Sequence, residues 1–270
     1  MNDADASPVL FTKDDEGVAV LTLNRPDRLN AYTPELCAGI VTAVDTYLRD
    51  DALRALIITG AGRGFCAGGD IKGDTPEFLE NRAMQLGEAK SLRQDMHAVC
   101  RAIAGVDKPI IAAINGVAIS GGLTLALMCD VRLAGTSARL GDTSGRAGMI
   151  PDEGGAWAFP RAMGYDRAWL MVATQELLTA QDAVACGLVT RVVPDEALMD
   201  EAIALARRIS QGAPIAQRMA KRLMRAGANQ SLSDALDAAG IAAEIVIHTD
   251  DATEGKAAFR EKRAPRFTGR

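Results

Sequence analysis

The 270-residue chain has only two histidines, His97 and His248, and none of its five cysteines (Cys37, Cys66, Cys100, Cys129, Cys186) form a C-x-x-C pair. Two histidines are too few for an ordinary metal cluster, so no metal site is expected. An odd number of widely spaced cysteines suits free thiols in a reducing compartment rather than a disulfide framework. Positive charge is not in excess either: 30 Lys and Arg stand against 35 Asp and Glu, a net charge of −5. Holding phosphates needs clustered cations, so neither nucleic acid nor an anionic membrane is an expected partner. No G-x-x-x-x-G-K-[ST] run occurs, and Gly60-x-Gly62 is followed by Gly64 too early for G-x-G-x-x-G, which argues against a nucleotide loop. The acidic start MNDADASP lacks the apolar core of a secretory signal and the arginines of a transit peptide, so a cytoplasmic location is expected.

What is present is hydrophobic content of 48% and 26 glycines, enough for one large core with a small appended part. One stretch, KPIIAAINGVAISGGLTLALMCD, carries no charge between Lys108 and Asp130. Its length invites a membrane span, but Pro109, Asn115, Ser120 and three glycines interrupt it and its halves differ in character. Ile110 to Ile114 is β-rich and Leu123 to Met128 favours helix, which predicts a buried strand, a glycine turn and a buried helix. Gly121 and Gly122 fall at the turn. There the missing Cβ lets a ligand reach the backbone, and the N–H groups that start a helix have no internal partner, so a developing negative charge can be held.

Around this stretch the chain alternates strands and helices. Val18 to Leu23 and Ala55 to Thr59 read as strands, the second opening into the loop Gly60 to Gly73. Thr33-Pro34-Glu35 reads as the start of a helix that places Leu36, Ile40, Val44 and Leu48 on one face. A long helical pattern runs from Glu77 to Ile103 and includes His97, read as a structural residue. Further strands are expected at Val131 to Ala134, Ala138 to Leu140 and Leu188 to Val193, with two adjacent carboxylates, Asp152 and Glu153, in the loop Gly145 to Gly164. After about residue 195 the pattern is all helical. This predicts an α/β core over 1–195 and a helical subdomain over 196–270.

The segments LNRPDRLNAY (23–32), GAGRGFCAGGD (60–70), KPIIAAINGVAISGGLTLALMCDVRLA (108–134), PDEGG (151–155), ACGLVTRVVP (185–194) and EGKAAFREKRAPRF (254–267) together resemble the crotonase, or enoyl-CoA hydratase/isomerase, superfamily. The resemblance runs from about residue 9 onward. It implies a crotonase-like spiral of ββα units, a C-terminal helical part used in assembly and in covering coenzyme A, and a homotrimer or homohexamer. It implies an acyl-CoA thioester as substrate, with coenzyme A part of the substrate and no separate cofactor. An enolate-like thioester oxygen would be stabilised by two backbone N–H groups, which the motifs place at Ala67 and Gly121. Gly68, Gly69, Asp70 and Ile71 continue the wall that receives the thioester and adenine, and Arg28 and Leu29 lie where the family approaches the nucleotide. Lys256, Arg260, Lys262 and Arg263 would meet phosphates or form a solvated basic face.

The chain departs from the hydratases of that family at the two positions where they carry glutamates, which here hold Thr124 and Ser144. Neither hydroxyl is a strong base near neutral pH, whereas hydration needs one group to activate water and one to deliver a proton. Both are read as polar lining of the acyl pocket. A single carboxylate suffices to shift a double bond, and the PDxGG loop resembles that of the isomerase branch of phenylacetate degradation. Asp152 is therefore the expected acid/base, with Glu153 as the alternative. The other readings are an atypical enoyl-CoA hydratase, a noncatalytic or RNA-binding family member, and a serine thioesterase using Ser120, whose context AISGG misses G-x-S-x-G. Met84, Leu86, Met149 and Trp157 are read as core packing rather than pocket lining.

Overall fold

The computed structural model describes residues 7–70 and 87–270. In chain order its strands are β1 (Val9–Lys13), β2 (Val18–Leu23), β3 (Ala55–Gly60), β4 (Gly64–Cys66), β5 (Ile110–Ile114), β6 (Val117–Ile119), β7 (Val131–Gly135), β8 (Arg139–Gly141), β9 (Leu178–Thr179) and β10 (Arg191–Val193). They form a large sheet in the order β1-β2-β3-β5-β7-β10 and a small one in the order β4-β6-β8-β9. The β1–β2 and β8–β9 pairs are antiparallel and the remaining pairs are parallel. The chain lays one strand in the large sheet and the next in the small one, as β5 then β6, and follows them with a helix, Gly121–Met128. This repeat is the ββα spiral that the motifs implied.

Period-two alternation explains why the large sheet is covered on both faces. Leu56, Ile58, Ile110, Ala112 and Ile114 pack into one apolar cluster with Leu36, Ile40, Val44 and Tyr47 of the helix Pro34–Arg49. Their neighbours Ala55, Ile57, Ile111 and Ala113 turn the other way, onto Leu198, Ala202 and Ala206 of the helix Leu198–Ser210. The boundary expected at 195/196 thus falls just before a helix that closes the second face of the sheet. Beyond it, the helices Pro214–Gly227, Leu232–Ile247 and Asp250–Glu261 leave Met224, Leu232, Leu236, Ile241 and Phe259 exposed. No helix among the described residues is long and apolar enough to cross a membrane.

Local signals account for several helix starts. Thr33 Oγ1 accepts the Leu36 N–H at 3.3 Å with Pro34 in the first turn, and Thr179 and Asp182 cap each other reciprocally. The long helix expected over 77–103 needs correction. Residues 77–86 lie outside the described residues, and the rest is two helices, Glu88–Gln94 and Met96–Gly105, broken at Asp95 with φ −99° and ψ −106°. Ser91 Oγ donates to Asp95 Oδ2 at 3.4 Å, a local side-chain bond of the kind that competes with helical backbone.

The helix Gly121–Met128 is buried along most of its length, and its first turn presses on the loop after β4. A Cβ on Gly122 would stand 2.1 Å from the Cys66 carbonyl oxygen and 2.8 Å from its carbon, so only glycine permits this approach. Gly122→Ala should therefore lower unfolding free energy by about 1–3 kcal/mol, the usual cost of forcing atoms into a packed interior. Urea denaturation followed by circular dichroism would show it as a lower midpoint.

Candidate active site

Two loops and one helix start meet around Tyr32. In the loop after β4, the Ala67 N–H donates to the Leu29 carbonyl (3.1 Å), the Tyr32 N–H to the Gly68 carbonyl (2.8 Å) and the Asp70 N–H to the Tyr32 carbonyl (3.1 Å). Tyr32 and Gly69 thus form a parallel bridge in which the Gly69 N–H faces away and has no partner among the described residues. The expectation that Ala67 offers a free amide does not fit this pattern: left-handed Leu29 (φ 51°) and Asn30 (φ 56°) bring the Leu29 carbonyl onto it. Gly69, two residues on and half-buried, carries the open donor.

The second open donor is Gly121, the first residue of its helix, whose N–H has no partner among the described residues. The residue before it, Ser120, has φ 51° and ψ −116°, a conformation that L-residues adopt at a cost of about 1–3 kcal/mol. The two glycines flank one phenol ring. A Cβ on Gly69 would lie 3.2 Å from Tyr32 Oη, and one on Gly121 would lie 2.6 Å from Tyr32 Cε1. Between them, the Gly68 Cβ position falls 3.9 Å from the Gly121 nitrogen.

The PDEGG loop is hung over this region by the helix Met96–Gly105. His97 Nε2–H donates to the Asp152 carbonyl at 2.8 Å, and Cys100 Sγ–H donates to the Glu153 carbonyl at 3.3 Å. These side chains are three apart and share a helix face. His97 has the structural role expected of it. The loop in turn carries Glu153 inward, where Tyr32 O–H donates to its Oε1 at 2.7 Å. A Cβ on Gly121 would lie 3.2 Å from that same oxygen. Glu153 Oε2 and Thr124 Oγ1 are both buried without a hydrogen-bond partner among the described residues. Thr124 Cγ2 sits 3.2 Å from where a Gly154 Cβ would be, so Thr124 underlies the loop.

Three carboxyls converge here in different surroundings. Burial pushes Glu153 above the ordinary carboxylate range, against the Tyr32 hydrogen bond, and the charges of Asp152 and Asp142 push it further. Burial likewise raises Asp142, which is fully buried; bonds from Ser144 and Ser120 offset part of the rise and the Asp152 charge adds to it. Asp152 differs from both: it is half-buried, and its carboxylate has no hydrogen bond among the described residues. Tyr32, raised strongly by burial and by Glu153, stays a phenol.

Other candidates fall elsewhere. Asp70 is buried in an ion pair with Arg25 at 2.7 Å, so its carboxylate braces the loop. Arg28 ends a 3-10 turn, Pro26–Arg28, with Leu29 at its cap. Ser144 is half-buried beside Asp142. Arg263 pairs with Glu254 and Glu261 at 2.6 Å each, and Arg260 Nε donates to the Lys256 carbonyl, the solvated-face alternative for these cations. Ile71, Met84 and Leu86 lie outside the described residues. Met149 and Trp157 are exposed instead of core, with Arg161 stacked on the Trp157 ring at 4.3 Å. For a serine hydrolase, neither histidine serves Ser120, since His97 bonds the Asp152 carbonyl and His248 the Glu244 carbonyl. Tyr32, Cys100 and Asp142 were missed in the sequence; only the short spacing of Asp142 from Ser144 hinted at a link.

Comparison with known proteins agrees with this fold. The family model described as enoyl-CoA hydratase/isomerase matches residues 13–270. The chain is 37% identical over 256 residues to the 1,2-epoxyphenylacetyl-CoA isomerase of Escherichia coli K12, covering 95% of this chain and 97% of that one. It is 35% identical over 253 residues to the (E)-benzylidenesuccinyl-CoA hydratase of Thauera aromatica, covering 93% and 96%. The crystal structure of an enoyl-CoA hydratase from Bacillus anthracis superposes with a TM-score of 0.90 at 34% identity, covering 97% of this chain and 100% of that one.

Two outcomes follow from the Tyr32–Glu153 pair. Tyr32→Phe removes a hydrogen bond to a buried carboxyl and should destabilise the protein by roughly 1–3 kcal/mol, measured by urea denaturation. Because the folded-state value of Glu153 is raised, native protein binds more protons than unfolded chain, and this contribution to stability is complete below the ordinary value of 4.5 and lost as pH rises through the raised value. Glu153→Gln should flatten that fall, so thermal midpoints recorded from acid to neutral pH should decline less in the variant than in the parent.

Proposed function

The chain belongs to the enoyl-CoA hydratase/isomerase family, and on that footing we propose that it shifts the carbon–carbon double bond of an enoyl-CoA, with Asp152 carrying the proton. Asp152 removes a proton from Cα, the electron pair moves onto the thioester oxygen, and the proton returns at Cγ as the carbonyl re-forms. The N–H groups of Gly69 and Gly121 meet the oxygen while it is negative, each contributing about 3–4 kcal/mol of transition-state stabilisation.

The observation that carries the reading is the contrast among the three carboxyls. A shuttling group has to be reachable and unencumbered, and Asp152 alone of the three is half-buried with a carboxylate free of hydrogen bonds among the described residues. Glu153, gripped by Tyr32, is the buried neighbour on which the Asp152 charge acts. Hydration is the second reading, favoured by the carboxyl of Asp142 bonded to Ser144 and that of Glu153 in the loop over Thr124.

The acyl-CoA is the only small molecule this chemistry requires, and no separate cofactor enters it. The exposed apolar residues Leu232, Leu236, Ile241 and Ile245 on one C-terminal helix support assembly into a trimer or hexamer. Five cysteines outside any disulfide support a reducing, cytoplasmic setting.

Purified protein should convert a 3-enoyl-CoA to its 2-enoyl isomer, and Asp152→Asn should lower kcat/KM by about 10²–10⁴. Chromatography of the acyl-CoA products would report it. Rapid hydration of crotonyl-CoA that survives Asp152→Asn would overturn the assignment in favour of the hydratase.

A further inference from the structure

Asp142 sits beside the region just described with no role yet in the proposed reaction. It is completely buried, and both its oxygens engage one residue: Oδ1 accepts the Ser144 N–H at 3.0 Å, and Oδ2 lies 3.3 Å from Ser144 Oγ. Ser144 Oγ is also 3.2 Å from Ser120 Oγ, which accepts the Thr143 N–H at 3.3 Å. Ser120 immediately precedes the open Gly121 amide, and its Cβ lies 3.4 Å from the Gly68 Cβ position. A carboxyl inside the protein is thereby joined through two hydroxyls to the place where the two loops meet. Ser144, half-buried, is the more exposed member of the trio.

We infer that Ser144 is a second proton donor to the acyl group, with Asp142 as the positioning residue that holds the replacement proton behind it. This rests on the isomerase reading above and replaces only its last step: Asp152 takes the proton from Cα, and Ser144 in place of Asp152 delivers one at Cγ. A serine hydroxyl has one hydrogen, which cannot serve Asp142 and another acceptor at once. When Asp142 is ionised, the Ser144 hydrogen is drawn to Oδ2. When Asp142 is protonated, its O–H donates to Ser144 Oγ, and the Ser144 hydrogen is free to turn toward Ser120 or toward substrate. Asp142 is surrounded to favour the protonated form: it is desolvated and faces the charge of Asp152.

The step balances. The Ser144 O–H bond breaks as a C–H bond forms at Cγ with the electron pair of the dienolate. Ser144 Oγ takes the proton of Asp142 Oδ2, leaving a carboxylate, while Asp152 keeps the proton it took from Cα. The resting enzyme returns when Asp152 releases a proton to water and Asp142 gains one.

The test separates the two proton transfers in D2O, using mass spectrometry for exchange at Cα and product analysis for the double-bond shift. Ser144→Ala and Asp142→Asn should each lower the shift by about 100-fold while exchange at Cα continues near the parent rate. The double variant should be no slower than either single one, because both lie on one relay. Asp142→Asn should also abolish the alkaline fall of the isomerisation rate that tracks loss of the Asp142 proton. The proposal is overturned if Ser144→Ala isomerises at the parent rate, or if exchange falls in step with isomerisation. Should Asp142→Asn fail to fold, Ser144→Ala decides alone, since it leaves the buried carboxyl in place. Parent enzyme that carries the Cα proton to Cγ without exchange in D2O would overturn the relay and leave the Asp152 shuttle, whereas Asp152→Asn with exchange intact would remove the role of Asp152, and the relay with it.

Discussion

The contact between the first helical turn after β6 and the backbone at Cys66 is the constraint on which the rest depends. With a Cβ on Gly122 only 2.1 Å from the Cys66 carbonyl oxygen, the helix and the loop can meet only as bare backbone. That meeting brings the unpaired amide of Gly121 beside the glycines after β4, and it leaves space for one ring, Tyr32, against which Gly69 and Gly121 both rest. Donors held in place before substrate arrives need no reorganisation during reaction, which is why rigid backbone serves here better than mobile side chains.

The carboxyls follow a different logic. Burying an acid is costly unless it is protonated or well bonded, and Glu153 and Asp142 each have hydroxyl partners, Tyr32 for one and Ser144 for the other. Both stay above the ordinary range because those bonds do not make up for lost water. Asp152 lies on the same loop as Glu153 yet keeps contact with solvent. Neighbouring residues in one pentapeptide thus have unlike environments, one turned under the loop and one turned out, and it is this difference that allows them unlike roles.

Much of this was legible in the sequence. The switch from IIAAI to LTLALM across the Ser-Gly-Gly turn predicted the buried strand and helix, and Thr33-Pro34 marked the helix start, because propensity, capping and burial agree there. The donor loop was located but not its donor. Which amide of Ala67 and Gly69 stays open depends on pairing with Leu29 and Tyr32, more than thirty residues earlier, and no local pattern records such a register. Tyr32 and Glu153 are 121 positions apart, so their bond was invisible too. The break at Asp95 was missed since apolar spacing runs through it: Met96, Val99 and Ile103 keep their face whether the helix is one piece or two.

The strand order of the large sheet has a consequence for synthesis of the chain. Residues 32, 69, 121 and 153 come from successive circuits of the spiral, and the far side of the sheet stays uncovered until the helix Leu198–Ser210 docks. An emerging polypeptide therefore carries all four of these residues while the sheet still exposes one apolar face. Only when residues 198–210 have been made, some three-quarters of the way along the chain, can that face be closed, so the residues of the site precede in synthesis the helix that completes the sheet beneath them.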